Sequence, residues 1–214
     1  MRNLTLLFAI FLMASFSLFA QKGVIHLSSA EDEVKMNENT MEKLDLVFNH
    51  SIIQSFTVTT KAGTFDEIAI PGAKFTGKIG EPKIPAYSEL IEVPFGAEVK
   101  VIVKNYTTEE YDLGEFGINN PIIPAQPSIS KSEDPEKVKF YYNESAYQSR
   151  SFTDFEMATV TTLGTMRGVR IAKLSISPVN YNPAEGKIRV YNDIEVEVVF
   201  EKSDKNRTET VQQS

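Results

Sequence analysis

Catalysis near neutral pH most often recruits histidine, and this 214-residue chain has two, His26 and His50. Neither stands in an H-x-x-x-H metal pattern, and no G-x-S-x-G elbow supplies a serine for either to activate. There is no cysteine, which excludes thiol catalysis and cysteine-ligated metal within this chain. Gly72, Gly77 and Gly80 are loosely spaced like a phosphate loop, but no helix follows them, so turn chemistry accounts for them. The acidic pairs Asp66-Glu67, Glu109-Glu110 and Glu133-Asp134 lack EF-hand spacing and read as solvated charge. Tyr141-Tyr142 and Tyr147 could stack on a partner, although adjacent tyrosines at a strand start more often serve packing. His26 is expected in a first strand and His50 at a strand end, both as surface or edge residues. The reading is a chain with no catalytic residues, no metal and no cofactor.

The elements around these residues carry a strand signature. From Lys187 to Phe200, Ile188, Val190, Ile194, Val196, Val198 and Phe200 share one parity, and the charged residues the other. That period-two alternation puts one set on a core face and the other in water. Glu98 to Lys104 repeats it, with Val99, Val101 and Val103 inward, as do Leu44, Leu46 and Phe48, and Phe56 and Val58. Val169 to Ile176 reads as strand with a parity slip near Ala172-Lys173, as a β-bulge produces. Turn signals at Lys61-Ala62-Gly63, Pro71-Gly72, Gly80-Glu81-Pro82, Pro94-Phe95-Gly96 and Asn182 to Gly186 punctuate these runs. The pattern predicts an all-β fold, a single antiparallel β-sandwich-like domain from about Val24 to Phe200. Glu31 to Leu44 is expected to hold a short helix or a flexible leader. Asn119 to Lys139, rich in proline and small polar residues and without alternation, predicts a long extended loop, exposed and mobile from Pro124 to Lys139 and ordered only on binding a partner.

The ends and the charge bound the compartment and the partners. Arg2, the apolar run Leu4 to Phe19 and the small residue Ala20 form a secretory signal peptide, residues 1–20, cleaved near Ala20. The run falls short of the ~20 residues a spanning helix needs. A secreted, periplasmic or cell-surface location follows, with no membrane attachment after cleavage. Residues 21–202 form the domain, and the polar stretch 203–214 reads as a tail or linker. A net charge of −7 with scattered lysines argues against a nucleic-acid partner.

Several blocks in order resemble one family. Gly80-Glu81-Pro82-Lys83-Ile84-Pro85 is similar to the G-x-P-x-hydrophobic-P signature of gingipain-type propeptides of peptidase family C25, and Leu90 to Ala97 to their next strand and turn. Gln126 to Val138 resembles the inhibitory loop of the lysine-specific members' precursors. Leu163 to Ala172 is nearly identical to the same precursors, and Asn192 to Val198 also matches. The resemblance covers essentially the whole chain after the signal.

It implies a non-enzymatic propeptide that assists folding of a gingipain-type cysteine protease catalytic domain and blocks its active-site cleft. It places a lysine, Lys131, at the tip of the inhibitory loop, with Pro127, Ile129, Ser130 and Ser132 as neighbouring protease contacts. On this reading the tail 203–214 leads toward a catalytic domain that is not in this chain. Pro127 and Pro135 bracket Lys131, and a proline-rich segment loses little entropy on lying in a cleft. Two other classes remain: a non-inhibitory secreted β-sandwich binding or surface module, for which the chain lacks tryptophan platforms, and a structural leader.

Overall fold

The computed structural model describes residues 23–29, 31–130, 132–133, 137–152 and 156–212. Twelve strands are found among them: β1 (Val24–His26), β2 (Glu33–Asn39), β3 (Lys43–Asn49), β4 (Ile52–Thr60), β5 (Gly63–Ala69), β6 (Lys74–Thr76), β7 (Ile84–Glu92), β8 (Glu98–Asp112), β9 (Ala158–Met166), β10 (Val169–Ile176), β11 (Val179–Asn182) and β12 (Lys187–Glu201). A 3-10 turn at Leu113–Phe116 and helices α1 (Glu144–Tyr147) and α2 (Lys205–Gln212) complete the elements.

β12 organises the largest sheet, in which β11, β12, β3 and β2 run in that order. One side of β12 pairs with β8 along its whole length. Its other side pairs first with β11 and then with β3. The changeover falls at Asn192-Asp193, where the register slips and Asp193 takes a left-handed φ of 49°. There the Asn192 amide stands in for a ladder: its Oδ1 accepts from the His50 N–H at 3.0 Å and its Nδ2 donates to the His50 carbonyl at 2.7 Å. Every strand-to-strand ladder is antiparallel. A second sheet has the order β6-β7-β10-β9 and a third the order β1-β4-β5.

The three sheets share one core. Ile25, Ile53 and Ile68 of the small sheet join Ile91, Leu174 and Ile176 of the second, and Phe48, Ile188, Ile194 and Val198 of the largest. Burying each such side chain stabilises by about 1.5–3 kcal/mol, which is how a chain without disulfides holds together. The expected antiparallel all-β class is therefore observed, with Ile188, Val190, Val196 and Val198 buried as their parity requires. The slip anticipated near Ala172 lies between Ile171 and Ala172, with Leu163 of β9 as the extra residue.

Five expectations need correction. Val99, Val101 and Val103 have the inward parity but are only half-buried, because β8 has a ladder on one side alone. Phe56 is 53% exposed and Val58 half-buried; in β4 the core residue is Ile53, of the opposite parity. Glu31 to Leu44 holds strand β2 and its hairpin to β3 rather than a helix or leader. His50 is fully buried, not a surface or edge residue, because the chain leaves β3 there beneath Tyr87, with ring centroids 6.2 Å apart. The start of the long loop is anchored rather than free: Ile122 and Pro124 are buried.

The polar residues after β12 fold into α2 despite lacking an apolar stripe. Asp204 caps it, its carboxylate accepting from the Arg207 N–H at 3.0 Å. The helix docks on the Pro94-Phe95-Gly96 turn, where Phe95 N–H donates to Thr208 Oγ1 at 2.9 Å and Asp204 N–H to the Phe95 carbonyl at 2.6 Å. Arg170 of β10 holds that turn from beneath, donating to the Pro94 and Ala97 carbonyls at 3.1 and 2.6 Å.

Candidate functional site

The long loop leaves the body of the domain along β5. Asp66 is buried, and its carboxylate accepts from Asn120 N–H at 2.9 Å, from Asn120 Nδ2 at 3.2 Å and from Thr57 Oγ1 at 2.9 Å. Its backbone bonds the same limb, donating to Pro121 O at 3.0 Å and accepting from Ile123 N–H at 2.8 Å. A buried carboxylate is tolerable only with such a set of donors. The limb continues along the Gly80-Glu81-Pro82-Lys83 turn: Lys83 N–H donates to Ile123 O at 2.9 Å, Ala125 N–H to Glu81 O at 2.8 Å, and Gly80 N–H to Ala125 O at 2.8 Å.

The returning limb is held by aromatic packing and by the same turn. Phe140 stacks on Phe65 of β5 with centroids 5.6 Å apart, and Lys61 donates to the Val138 carbonyl. Phe65 and Asp66 are adjacent on one strand yet both buried, because the two limbs cover the face a strand would otherwise show to water. Tyr142 stacks on Tyr147 at 4.3 Å, and the Tyr147 hydroxyl donates to Ile122 O at 2.5 Å. The tyrosines thus serve packing at the loop root, and burial pushes the Tyr147 phenol far up. Two contacts tie limb to limb. The Gln126 side chain accepts from Tyr141 N–H at 2.9 Å and donates to Tyr141 O at 2.8 Å. Gly80 accepts from Asn143 N–H at 2.9 Å while donating to the outgoing limb.

Beyond this root the described residues of the tip are mostly exposed. Ile129 is 44% exposed, Ser130 and Ser132 are exposed, and Pro127 is half-buried at the tip's base. Ser130 N–H donates to the Glu133 carboxylate at 2.9 Å, Glu133 N–H donates to Ser130 O at 3.0 Å, and the two serine hydroxyls meet at 2.9 Å. Lys131 lies outside the described residues, as does Asp134 of the pair Glu133-Asp134. Pro127, Ile129, Ser130 and Ser132 thus share one loop, while Asp66, Gly80, Gln126 and Tyr147, which set its root, were not among the expected site residues. Gly80 carries a signal as part of the Gly-Glu-Pro turn and Tyr147 as a stacking or packing residue, whereas Asp66, which reads as solvated charge, is buried.

The remaining chemistry-bearing residues do not converge. His26 is exposed in β1. Neither ring nitrogen of His50 makes a hydrogen bond of good geometry with a described residue, and burial lowers its pKa to about 4 against weaker opposing effects of a poorly aligned contact with the Tyr191 backbone and of Asp32 and Asp193. Glu67 pairs with Lys83 at 2.7 Å, Glu110 takes two bonds from Arg189 at 2.8 and 2.7 Å, and Glu109 accepts from the Tyr111 hydroxyl at 2.6 Å. Among the described residues no group of three His, Asp or Glu is placed to hold a metal ion.

Comparison with known proteins assigns this architecture. The Propeptide_C25 family profile matches residues 23–214. The chain belongs to the C25 propeptide family. It is 42% identical over 209 residues to Lys-gingipain of Porphyromonas gingivalis, covering 98% of this chain and 12% of that relative. Gingipain R2 of the same organism is 27% identical over 175 residues, 81% of this chain and 22% of the relative. The chain therefore spans about an eighth of the length of the Lys-gingipains it matches. Among solved structures, one from a study of the zymogenic latency of gingipain K from Porphyromonas gingivalis superposes with a TM-score of 0.79 at 43% identity. That match covers 83% of this chain and 97% of the other. A complex of Porphyromonas gingivalis RgpB pro- and mature domains shares the fold, with a TM-score of 0.66 at 23% identity over 81% of this chain and 86% of the other. This chain is a gingipain-type propeptide domain and not the catalytic unit.

Proposed function

We propose that this propeptide keeps a gingipain-type cysteine protease latent by laying the 127–140 loop in its active-site cleft with Lys131 in the primary specificity pocket, and that it assists folding of that protease. The observation that carries the reading is an exposed tip on a root tied to β5 and to the Gly80 turn, in a fold shared at 43% identity with gingipain K, whose structure concerns zymogenic latency. A loop fixed at its base and open at its tip enters a concave site without dragging the sheets along. Ser130 and Ser132 are small enough to follow a lysine into a cleft. An ammonium taken out of water needs an anionic partner, which a lysine-selective pocket provides. With no cysteine and two separated histidines, the chain contributes occlusion rather than chemistry.

The proposal includes export. Residues 1–20 serve as a signal peptide removed near Ala20, so the propeptide meets its protease outside the cytoplasm. No described helix is long and apolar enough to cross a membrane. The test is direct: the purified chain, titrated into mature Lys-gingipain, is expected to inhibit hydrolysis of a lysyl substrate competitively. Binding without competition would instead favour a surface-module role.

A further inference from the structure

The Gly-Glu-Pro turn has a job that its place in the family signature does not explain. Gly80 is buried and sits between the two limbs of the loop, its N–H on Ala125 O at 2.8 Å and its carbonyl on Asn143 N–H at 2.9 Å. Its φ is +86°, which only glycine adopts freely, and a Cβ built there meets the backbone nitrogens of Asn143 and Tyr142 at 3.3 and 3.5 Å. One residue further out, the Gln126 amide makes a two-point bond with the backbone of Tyr141, fifteen residues away in sequence. The contacts form two rungs, an inner one through Gly80 and an outer one through Gln126, at the neck of the 127–140 loop.

We infer that Gly80 and Gln126 are positioning residues that clamp the neck of the loop and so fix the pose in which its tip is offered to the protease. The inference rests on the reading of the loop as the inhibitory element. Opening the neck leaves the tip's chemistry unchanged but divides the loop among several poses. The apparent affinity then falls in proportion to the fraction in the competent one. Losing two exposed backbone bonds corresponds to a three- to tenfold change at the outer rung.

Inhibition constants against mature Lys-gingipain for Gln126→Ala, Gln126→Glu, Gly80→Ala, Lys131→Ala and the double variant Gln126→Ala/Lys131→Ala test this. Gln126→Ala is expected to weaken inhibition three- to tenfold. Gln126→Glu keeps the acceptor and loses the donor, so it should fall between parent and Gln126→Ala. Gly80→Ala should weaken inhibition by about tenfold or more. In the Lys131→Ala background, Gln126→Ala should add little, since pose matters only while the tip engages. Gln126→Ala should also raise amide hydrogen exchange in 127–140 and leave the urea midpoint of the domain within error. Should Lys131→Ala weaken inhibition while Gln126→Ala and Gly80→Ala do not, the clamp is wrong and the loop reading stands. An equal effect of Gln126→Ala in both backgrounds places its role away from the tip and also overturns the clamp. If Lys131→Ala itself changes nothing, the loop reading fails and takes the clamp with it.

Discussion

Acid should unlock the core through one residue. His50 is wholly buried beneath Tyr87, with neither ring nitrogen in a hydrogen bond of good geometry to a described residue, and Asp32, Asp193 and the Tyr191 backbone favour its charged form only weakly. Its pKa is lowered from 6.5 to about 4 by burial. Because the folded value lies below the unfolded one, the unfolded chain binds more protons between them, and stability rises with pH across that window. The full contribution is present above pH 6.5 and is lost as pH falls toward 4. Two and a half pKa units at 1.36 kcal/mol each amount to about 3 kcal/mol. That is a large share of the 5–15 kcal/mol typical of a domain, and lowers the melting temperature by about 6–12 °C at this chain length. Urea unfolding of the parent and of His50→Leu at half-unit steps from pH 7.5 to 4 measures it. The leucine variant replaces a buried neutral ring by an apolar group, so at pH 7 it should lie within about 1.5 kcal/mol of the parent. Between pH 6.5 and 4 the balance between the two should move by about 3 kcal/mol in favour of the leucine variant. Exposed carboxylates titrate equally in both and cancel. Parallel pH profiles for the two proteins would show that the imidazole reaches a proton acceptor or water, and would refute the reasoning.

Two further substitutions probe the loop root and the terminal helix. Tyr147→Phe removes the donor to Ile122 O at 2.5 Å and leaves that carbonyl unpaired, so it should lower stability by about 1–3 kcal/mol, read from the urea midpoint. Arg170→Ala strips the Pro94 and Ala97 carbonyls of their shared donor. With the turn loosened, α2 loses its seat, and amide exchange across 205–212 should rise well before that of β12. The domain as a whole should lose about 1.5–3 kcal/mol, as for hydrogen bonds to a charged group.

What was legible in the sequence follows from which forces shape each element. β12 announces itself because it is paired along both edges and its core face is buried, and alternation from Ile188 to Phe200 records that. β2 does not: Val34 and Met36 are exposed on an edge strand held by main-chain pairing to β3, so no apolar face was selected. The outer half of β8, Asn105 to Asp112, likewise follows the register of β12 without a pattern of its own. The terminal helix had one local signal, the Asp204 cap, and is otherwise made by tertiary contacts with Phe95. His50 was misplaced because nothing in its neighbours foretells that Tyr87 and Asn192 will close over it. For the site, the sequence disclosed the loop and the family, yet not the root. Asp66 looked like solvated charge until its three donors were seen, and Gln126 is one more polar residue in a polar stretch until it meets Tyr141.

The most direct test of the whole account is the inhibition constant of Lys131→Ala against mature Lys-gingipain, beside Lys137→Ala as a control. Removing one member of a buried charged pair typically costs about 2–5 kcal/mol. At about 1.4 kcal/mol per factor of ten, inhibition should weaken by about thirty-fold to a few thousand-fold, while Lys137→Ala changes little. Lys131→Arg should also lose affinity, since a planar guanidinium does not fit a site shaped for a compact ammonium. If Lys131→Ala inhibits as well as the parent, the loop is not the plug, and occlusion must come from a sheet surface instead.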